Sequence, residues 1–369
     1  MLHTGKTVVV KLGTTTLTRG SSHLNRAHML EIVRAVNTLR ERGHKVILVS
    51  SGAMAAGREM LGDPALPPLM SLKQMLAAVG QGRLIEIYEN LCSIYGIRIG
   101  QILLTRADVE NRERFLNARD ALQALLDYGI LPIVNENDAV STQEIRVGDN
   151  DNMAALVGIL IKADLVILLT DQKGLYTADP RKDPDAALIR EVTEITPEIE
   201  RLAGGSGTRL GTGGMSTKVR AAKAATQAGI GMVIASGNDP SCLPALVAGE
   251  GEGTYFRPRP HAAWAKKTWL SVAARSQGEI CVDEGAVKAL TERGSSLLPS
   301  GILAVRGDFL RGAIVAIVTS SGQTIAQGLT RYSSEDLNLI RGHQSEEIES
   351  LLGLSHGPVA VHRDDLVLL

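Results

Sequence analysis

The sequence predicts an α/β fold, a mostly parallel sheet sandwiched by helices, followed by a small, mainly β domain. Two observations indicate this organisation. Over the first two-thirds of the 369 residues, short apolar runs alternate with longer amphipathic segments, as in a parallel sheet covered on both faces. After about residue 256, short strand-like runs separated by turn residues replace this alternation.

Each predicted element of the first part follows from a local pattern. Short apolar runs that end in glycine or polar residues predict strands, and apolar residues three and four positions apart predict helices. The predicted strands are 7–13, 45–53, 98–105, 130–138, 164–171 and 230–237. The predicted helices are 24–43, 71–96, 114–129, 152–163 and 216–229.

The segment 257–275 differs in composition from the parts on either side. It carries five Lys/Arg residues, two prolines and no acidic residue, which is typical of a linker. The predicted organisation is therefore a first domain at 1–257, a linker at 258–275 and a mainly β domain at 276–369. This last domain holds 7 Lys/Arg and 12 Asp/Glu residues, a net charge of −5, and is poorly suited to attract phosphate backbones.

Composition argues against several functional classes. The net charge of −1 gives no bulk attraction to nucleic acid or membrane, and the aromatic share of 3% leaves few platforms for stacking bases. The sequence contains neither a signal-peptide pattern nor an apolar run of about 18 residues, the length of a membrane helix. The three scattered cysteines lack metal-binding spacing and favour a cytoplasmic location.

Small and polar residues follow several predicted strands. They are Gly13, Ser50, Ser51, Gly52, the run 135–138, Thr170, Asp171, Ser236 and Gly237. Ligands bind at the carboxyl ends of strands in open α/β sheets, so a site is expected there. The sequence has neither a P-loop pattern nor a dinucleotide fingerprint, and its eight histidines lie outside these segments. Zinc sites and His/Cys catalysis are therefore disfavoured.

Two lysines lie beside this expected site. Lys11 interrupts the apolar run "VVVKLG", where a charge is costly unless it has an anionic partner; the alternative is an edge-strand lysine. Lys218 ends the glycine-containing stretch "GTGGMSTK" (211–218) and lies in the first turn of the predicted helix 216–229; the N–H groups of this glycine loop can hold phosphate. Because a lysine is unfavourable at a helix start, the alternative is that Lys218 points to solvent.

The stretch "DNDN" at 149–152 leaves three roles open: capping a helix, holding a metal or binding a polar substrate. Asp149 and Asn152 flank the predicted helix 152–163 and suit a capping role. An EF-hand is excluded because the required glycine and distal glutamate are missing. The nearby "NENDA" (135–139) also has a structural alternative, an Asx turn after its strand.

Six motifs occur in the order of one family. They are "VVVKLGTTTLT", "VSSGAMAAG", "NENDAVS", "VGDNDNMAALV", "LLTDQKGLYTADPR" and "RLGTGGMSTK". They resemble the bacterial glutamate 5-kinases of the amino-acid kinase superfamily, and the tail resembles the PUA domain of many members. The resemblance covers essentially the whole chain, and "GDND" and "GTGGMSTK" are its specific motifs. The run "TTT" at 14–16 departs conservatively from the family pattern.

The resemblance implies ATP-dependent phosphorylation of the γ-carboxylate of L-glutamate to L-glutamyl 5-phosphate, the first step of proline biosynthesis. It also implies Mg²⁺, feedback inhibition by proline and a homo-oligomer, either a dimer or a tetramer. No direct metal ligand is assigned, and neither a membrane nor a nucleic acid is expected as a partner.

The resemblance carries residue roles over by position. Lys11 and Lys218 flank the transferring phosphoryl group, and Asp151 orients them. The glutamate-binding residues correspond to Ser51, Asn135, Asp138 and Asn150, with Asn150 expected to donate to the substrate. The ATP site corresponds to Thr170, Asp171, Thr212, Gly213, Gly214, Met215, Ser216, Thr217 and Lys218.

Three alternative functions remain. Another kinase of the superfamily, acting on acetylglutamate, aspartate or uridylate, would share the fold and the lysines; the tail and "GTGGMSTK" favour glutamate. An RNA-binding or RNA-modifying PUA protein is opposed by the acidic tail and the low aromatic content. A catalytically inactive regulatory protein is disfavoured because both lysines and Asp151 are present.

Overall fold

A computed structural model describes residues 5–105, 107–108, 111–140, 149–204, 214–259 and 276–369. The chain divides into two compact units, one reaching to residue 262 and the other formed mainly by the residues after it. Each unit has its own sheet and its own hydrophobic core.

An eight-stranded sheet forms the centre of the first unit, in the order β3-β4-β2-β1-β5-β7-β8-β6. Among the described strands, all neighbours pair in parallel except β7 and β8. Strands β1 and β5 are mostly apolar, with Lys11 as the charged exception, because central parallel strands are buried on both faces. The strands are β1 Thr7–Leu12, β2 Lys45–Ser50, β3 Ile99–Leu104, β4 Leu131–Glu136, β5 Leu165–Thr170, β6 Glu191–Val192, β7 Gly231–Ser236 and β8 Thr254–Phe256.

The helices of the first unit include one unusually close pair. They are α1 Thr14–Thr18, α2 Arg26–Glu41, α3 Ala53–Met60, α4 Met70–Ser93, α5 Arg112–Asp127, α6 Asp149–Ile161, α7 Pro197–Gly204, α8 Met215–Gln227 and α9 Leu243–Ala248. Helices α3 and α4 meet at Gly57 and Gly80, where an added Cβ would lie 2.1 Å from the Leu76 carbonyl oxygen and 1.8 Å from that of Ala53. These two glycines therefore set the distance between the helices.

Every strand and helix predicted for the first unit is present, with ends shifted by at most about three residues. Two of these shifts affect predicted site residues. Helix α6 begins at Asp149 rather than at 152, so Asn152 lies inside its first turn and the predicted capping role of Asn152 is wrong. Strand β4 ends at Glu136, so Asp138 begins a turn instead of ending the strand.

Several short elements of the first unit were not predicted. Helix α1 consists of "TTTLT", and threonine is a poor helix former, so its sequence resembles a loop. Helix α3 starts after Gly52, whose φ of 101° is the left-handed conformation that favours glycine. Helices α7 and α9 and strands β6 and β8 are also short, and such segments contain too few residues to show a clear apolar repeat.

The second unit is built on a five-stranded sheet in the order β10-β9-β11-β12-β13. Its strands are β9 Gly278–Val282, β10 Ile302–Arg306, β11 Ile314–Thr319, β12 Thr324–Thr330 and β13 Val361–Leu368. Within residues 276–369, three short α-helices accompany them, α10 Glu284–Thr291, α11 Ser334–Ile340 and α12 Ile348–Leu352. A separate core that includes Val315, Ile317 and Tyr332 stabilises the unit.

The predicted fold class is confirmed for both parts of the chain: a mostly parallel sheet with helices, and a mainly β unit. The boundaries at 257, 258–275 and 276 stay a prediction, because most of the predicted linker lies outside the described residues. Within the described ranges, no helix combines the length and apolar character needed to cross a membrane.

Candidate active site

The site is centred on Lys11, the fifth residue of the central strand β1. This strand lies between β2 and β5, and only 5% of Lys11 is exposed, so the edge-strand alternative is wrong. Its ammonium nitrogen lies 2.6 Å from Oδ1 of Asp151, which is completely buried in the first turn of α6. Asp151, from the "DNDN" stretch, is therefore the anionic partner that Lys11 needs in its apolar surroundings.

Lys218, in the first turn of helix α8, contacts the same carboxylate. Its Nζ donates to Oδ2 of Asp151 at 3.1 Å, and Thr217 Oγ1 donates to that oxygen at 2.9 Å. Lys218 is 6% exposed, so the alternative of a solvent-directed side chain is wrong. The carboxylate offsets the unfavourable position of a lysine at the start of α8.

The pKa values of this trio, Lys11, Asp151 and Lys218, follow from burial and mutual charge. Burial lowers the pKa of Lys11, and the nearby Lys218 ammonium acts in the same direction, while Asp151 opposes both. For Asp151, burial acts to raise the pKa, but the Lys11 and Lys218 ammonium groups outweigh it and hold the pKa below its usual value. Two ammonium groups and one carboxylate leave an excess of positive charge, which suits an anionic ligand.

A second cluster, built from neutral side chains, adjoins the trio. Asn150, the residue before Asp151, donates from Nδ2 to Ser51 Oγ at 2.9 Å and to Asn135 Oδ1 at 3.1 Å. Asn135, which is 1% exposed, donates in turn to Oε1 of Gln81 on α4 at 2.7 Å. This amide cluster of Ser51, Asn135, Asn150 and Gln81 thus joins the end of β2 to β4, α6 and α4 at one place.

The structure differs from the expectation that Asn150 donates to the substrate. The two Nδ2 hydrogens of Asn150 face Ser51 Oγ and Asn135 Oδ1, with the Ser50 carbonyl oxygen farther away at 3.4 Å. Its Oδ1 atom is buried and has no hydrogen-bond donor among the described residues. The open atom of Asn150 is therefore an acceptor, which suits a ligand that carries N–H groups.

The other predicted residues divide into three groups. Asp138 is half-buried in the turn after β4. Thr170 is buried at the end of β5 and donates to Asp171 Oδ1 at 2.9 Å, while Asp171 is exposed. Gly214, Met215, Ser216 and Thr217 form the start of α8, whereas Thr212 and Gly213 lie outside the described residues.

A cavity of about 410 Å³ lies between the segment after β5, helix α7 and Met215 at the start of α8. Leu175, Tyr176 and Pro180 contribute apolar surface, and Asp179, Arg181 and Arg201 contribute charge. Its volume and mixed lining suit a ligand of nucleotide size. From the motif "LLTDQKGLYTADPR" only Thr170 and Asp171 were predicted as site residues, and helix α7 was not predicted because its eight residues are too short for a clear apolar repeat.

The comparisons with known proteins identify the family. A model of the amino acid kinase family matches residues 6–236, and a model of the PUA domain matches residues 278–352. A glutamate 5-kinase from Sodalis glossinidius (strain morsitans) is 55% identical over 367 residues, which cover 100% of both chains. The chain belongs to the glutamate 5-kinase family. Another glutamate 5-kinase, from Vibrio campbellii, is 55% identical over 99% of this chain and 96% of its own.

A solved structure also matches the fold of this glutamate 5-kinase family member. Carbamate kinase from Giardia lamblia, bound to AMP-PNP, aligns with a TM-score of 0.52 at 18% identity, over 69% of this chain and 99% of its own. At this identity the match speaks for the fold alone, and it agrees with the large, mostly parallel sheet of the first unit.

Proposed function

We propose that the protein transfers the γ-phosphoryl group of ATP to the γ-carboxylate of L-glutamate and forms L-glutamyl 5-phosphate, which enters proline biosynthesis. One observation carries the proposal: two buried lysines share one buried carboxylate directly beside a neutral amide cluster. Such a site combines charge neutralisation with recognition of a polar ligand. The full-length similarity to glutamate 5-kinases supports the same substrate.

The reaction needs charge neutralisation more than acid–base chemistry. The glutamate side chain has an ordinary pKa of about 4.3, so its carboxylate is already a nucleophile at neutral pH. Asp151 is poorly suited to act as a base, because both of its oxygens contact ammonium groups. The main barrier is repulsion between two anions, and Lys11 and Lys218 reduce it while they align the reacting groups.

The proposal assigns the remaining residues to two sides of the lysine pair. Ser51, Asn135, Asp138 and Asn150 bind glutamate, and the α-ammonium group contacts the Asp138 carboxylate and Asn150 Oδ1. ATP binds between Thr170, Asp171 and the 212–218 loop, with its nucleoside in the 410 Å³ cavity. The helix α8 start adds partial positive charge near the phosphates.

We propose that Mg²⁺ arrives bound to the nucleotide. The described residues contain no group of three or more His, Cys, Asp or Glu side chains placed to hold a metal ion. Magnesium retains water and binds substrate phosphates readily, so phosphate oxygens can supply most of its ligands. Feedback inhibition by proline, a homo-oligomer and a cytoplasmic location remain predictions of the family resemblance.

The competing functions differ in substrate, so a panel of acceptors tests the proposal. ADP release is measured with ATP and Mg²⁺ in the presence of glutamate, N-acetylglutamate, aspartate or UMP. Glutamate should be the preferred acceptor by at least about tenfold in kcat/KM. N-acetylglutamate and UMP lack the free ammonium group that the site is predicted to bind, and the shorter side chain of aspartate places its carboxylate away from the lysine pair. Preference for another acceptor contradicts the proposal. A salt-dependent shift of RNA in a gel would support the RNA-binding alternative.

A further inference from the structure

Gln81 is a polar residue on the buried face of helix α4. The helical repeat places it on the same stripe as Ala77, Leu84 and Tyr88, all of which are buried. A polar side chain on such a stripe is costly unless its amide finds partners. Its Oε1 atom finds one in Asn135 Nδ2, at 2.7 Å.

The hydrogen bonds around Gln81 have a fixed direction. The backbone N–H of Glu136 donates to Asn135 Oδ1 at 2.9 Å, so this oxygen cannot exchange places with Nδ2 without losing that bond. Asn135 Nδ2 consequently faces Gln81, and Asn135 Oδ1 accepts from Asn150 Nδ2. Asn150 is thereby turned so that its Oδ1 is the atom without a protein donor among the described residues.

We infer that Gln81 is a positioning residue for glutamate binding, an inference that rests on the proposed function. Gln81 accepts from Asn135, Asn135 holds Asn150, and Asn150 then presents an acceptor to the substrate ammonium group. Without Gln81, Asn135 Nδ2 would be a buried donor without a partner, and this cost favours rotation of the amide against the Glu136 hydrogen bond that holds it. Rotation would bring Nδ2 toward Asn150 and disturb both amides.

The test replaces Gln81 with methionine, which has a similar shape and no amide acceptor. Gln81→Met should raise the KM for glutamate about tenfold, the equivalent of about 1.4 kcal/mol, which lies in the range for a buried donor left unpaired. The KM for ATP and kcat should change less than about twofold, because the described hydrogen bond of Gln81 leads to Asn135 on the neutral side of the site. Gln227→Met is the matched control, since Gln227 is exposed near the end of α8, and it should behave like the unchanged enzyme.

A double-mutant cycle separates positioning from a general structural effect. If Gln81 acts through Asn135, adding Gln81→Met to an Asn135→Ala enzyme should change the glutamate KM less than about twofold. Additive effects, an equal rise in the KM for ATP, or an unchanged glutamate KM in Gln81→Met would each overturn the inference. If the methionine enzyme does not fold in a thermal melt, Gln81→Leu replaces it with the same expectations. Failure of the proposed function is distinct, because the unchanged enzyme would then show no glutamate-dependent ADP release.

Discussion

The ionic and neutral halves of the site are held by two consecutive residues. Asp151 joins Lys11 and Lys218, whereas Asn150 joins Ser51 and Asn135. Successive helical side chains point in directions about 100° apart, so one turn of α6 serves both clusters without mixing them. The "DNDN" stretch therefore connects the charged trio to the neutral amide cluster.

The difference shows which parts of a site depend on charge and which depend on geometry. The trio has an excess of positive charge, and a buried charge acts strongly on a nearby anion because little water screens it. The amide cluster has no net charge and discriminates by the direction of its donors and acceptors. Changes in the first cluster should therefore affect kcat, and changes in the second should affect the KM for glutamate.

The largest expected effect comes from removing a lysine of the trio. Lys11→Ala and Lys218→Ala should each lower kcat by about 10²–10³, because loss of one charge contact to the transition state typically has that cost. The KM for glutamate should change far less. Lys45→Ala is a control, since Lys45 forms an exposed ion pair with Asp127 and should leave kcat unchanged. A near-normal kcat in either trio variant would contradict the role of that lysine.

A smaller effect is expected from Asp138, which is proposed to bind glutamate. Asp138→Asn removes the carboxylate proposed to face the α-ammonium group, so the KM for glutamate should rise about ten- to a hundredfold. The KM for ATP should stay nearly constant, and N-acetylglutamate should remain a poor substrate. A rise confined to the KM for ATP would assign Asp138 to the nucleotide or metal site instead.

The pH dependence of kcat tests whether the charge of Lys11 in the trio is needed for turnover. Burial lowers the pKa of Lys11 from the usual lysine value of 10.5, so its charge is lost at a lower pH than that of an exposed lysine. Because the charged form is the active one, kcat should fall on the alkaline side, starting below pH 10.5. Lys11→Arg should lack this fall, even if its kcat is lower, because arginine stays charged. Intrinsic fluorescence at each pH checks folding, and a flat profile in the unchanged enzyme would contradict the prediction.

The smallest effect on turnover is expected from the tail. All proposed reacting groups precede residue 240, and the second unit has its own core. The backbone N–H of Arg259 still donates to the Thr226 carbonyl oxygen, so the cut is best placed after Arg259. The truncated chain should retain glutamate-dependent ADP release within about threefold, whereas proline sensitivity or assembly changes more readily. A folded truncated chain without turnover would show that the tail completes the active site.

Periodicity was sufficient for six strands of the large sheet and for its long helices, because each of them carries a full repeat of apolar residues, whereas the short strands β6 and β8 do not. It did not place the start of α6, since the polar residues Asn150 and Asp151 resemble a loop until their partners are known. The need of Lys11 for an anion was readable from its apolar neighbours, but the identity of that anion depended on a contact 140 positions along the chain. Gln81 was missed because an isolated glutamine in an amphipathic helix carries no motif.

The close glycine contact between α3 and α4 makes the site sensitive to the distance between these two helices. Gly80 immediately precedes Gln81, and its backbone rests against α3 with no room for a Cβ. A methyl group there would push α4 away from α3. A displacement on the order of 1 Å is enough to break a hydrogen bond or to misplace a bound reactant. Selectivity for the substrate would then depend on the distance that Gly57 and Gly80 set between these two helices.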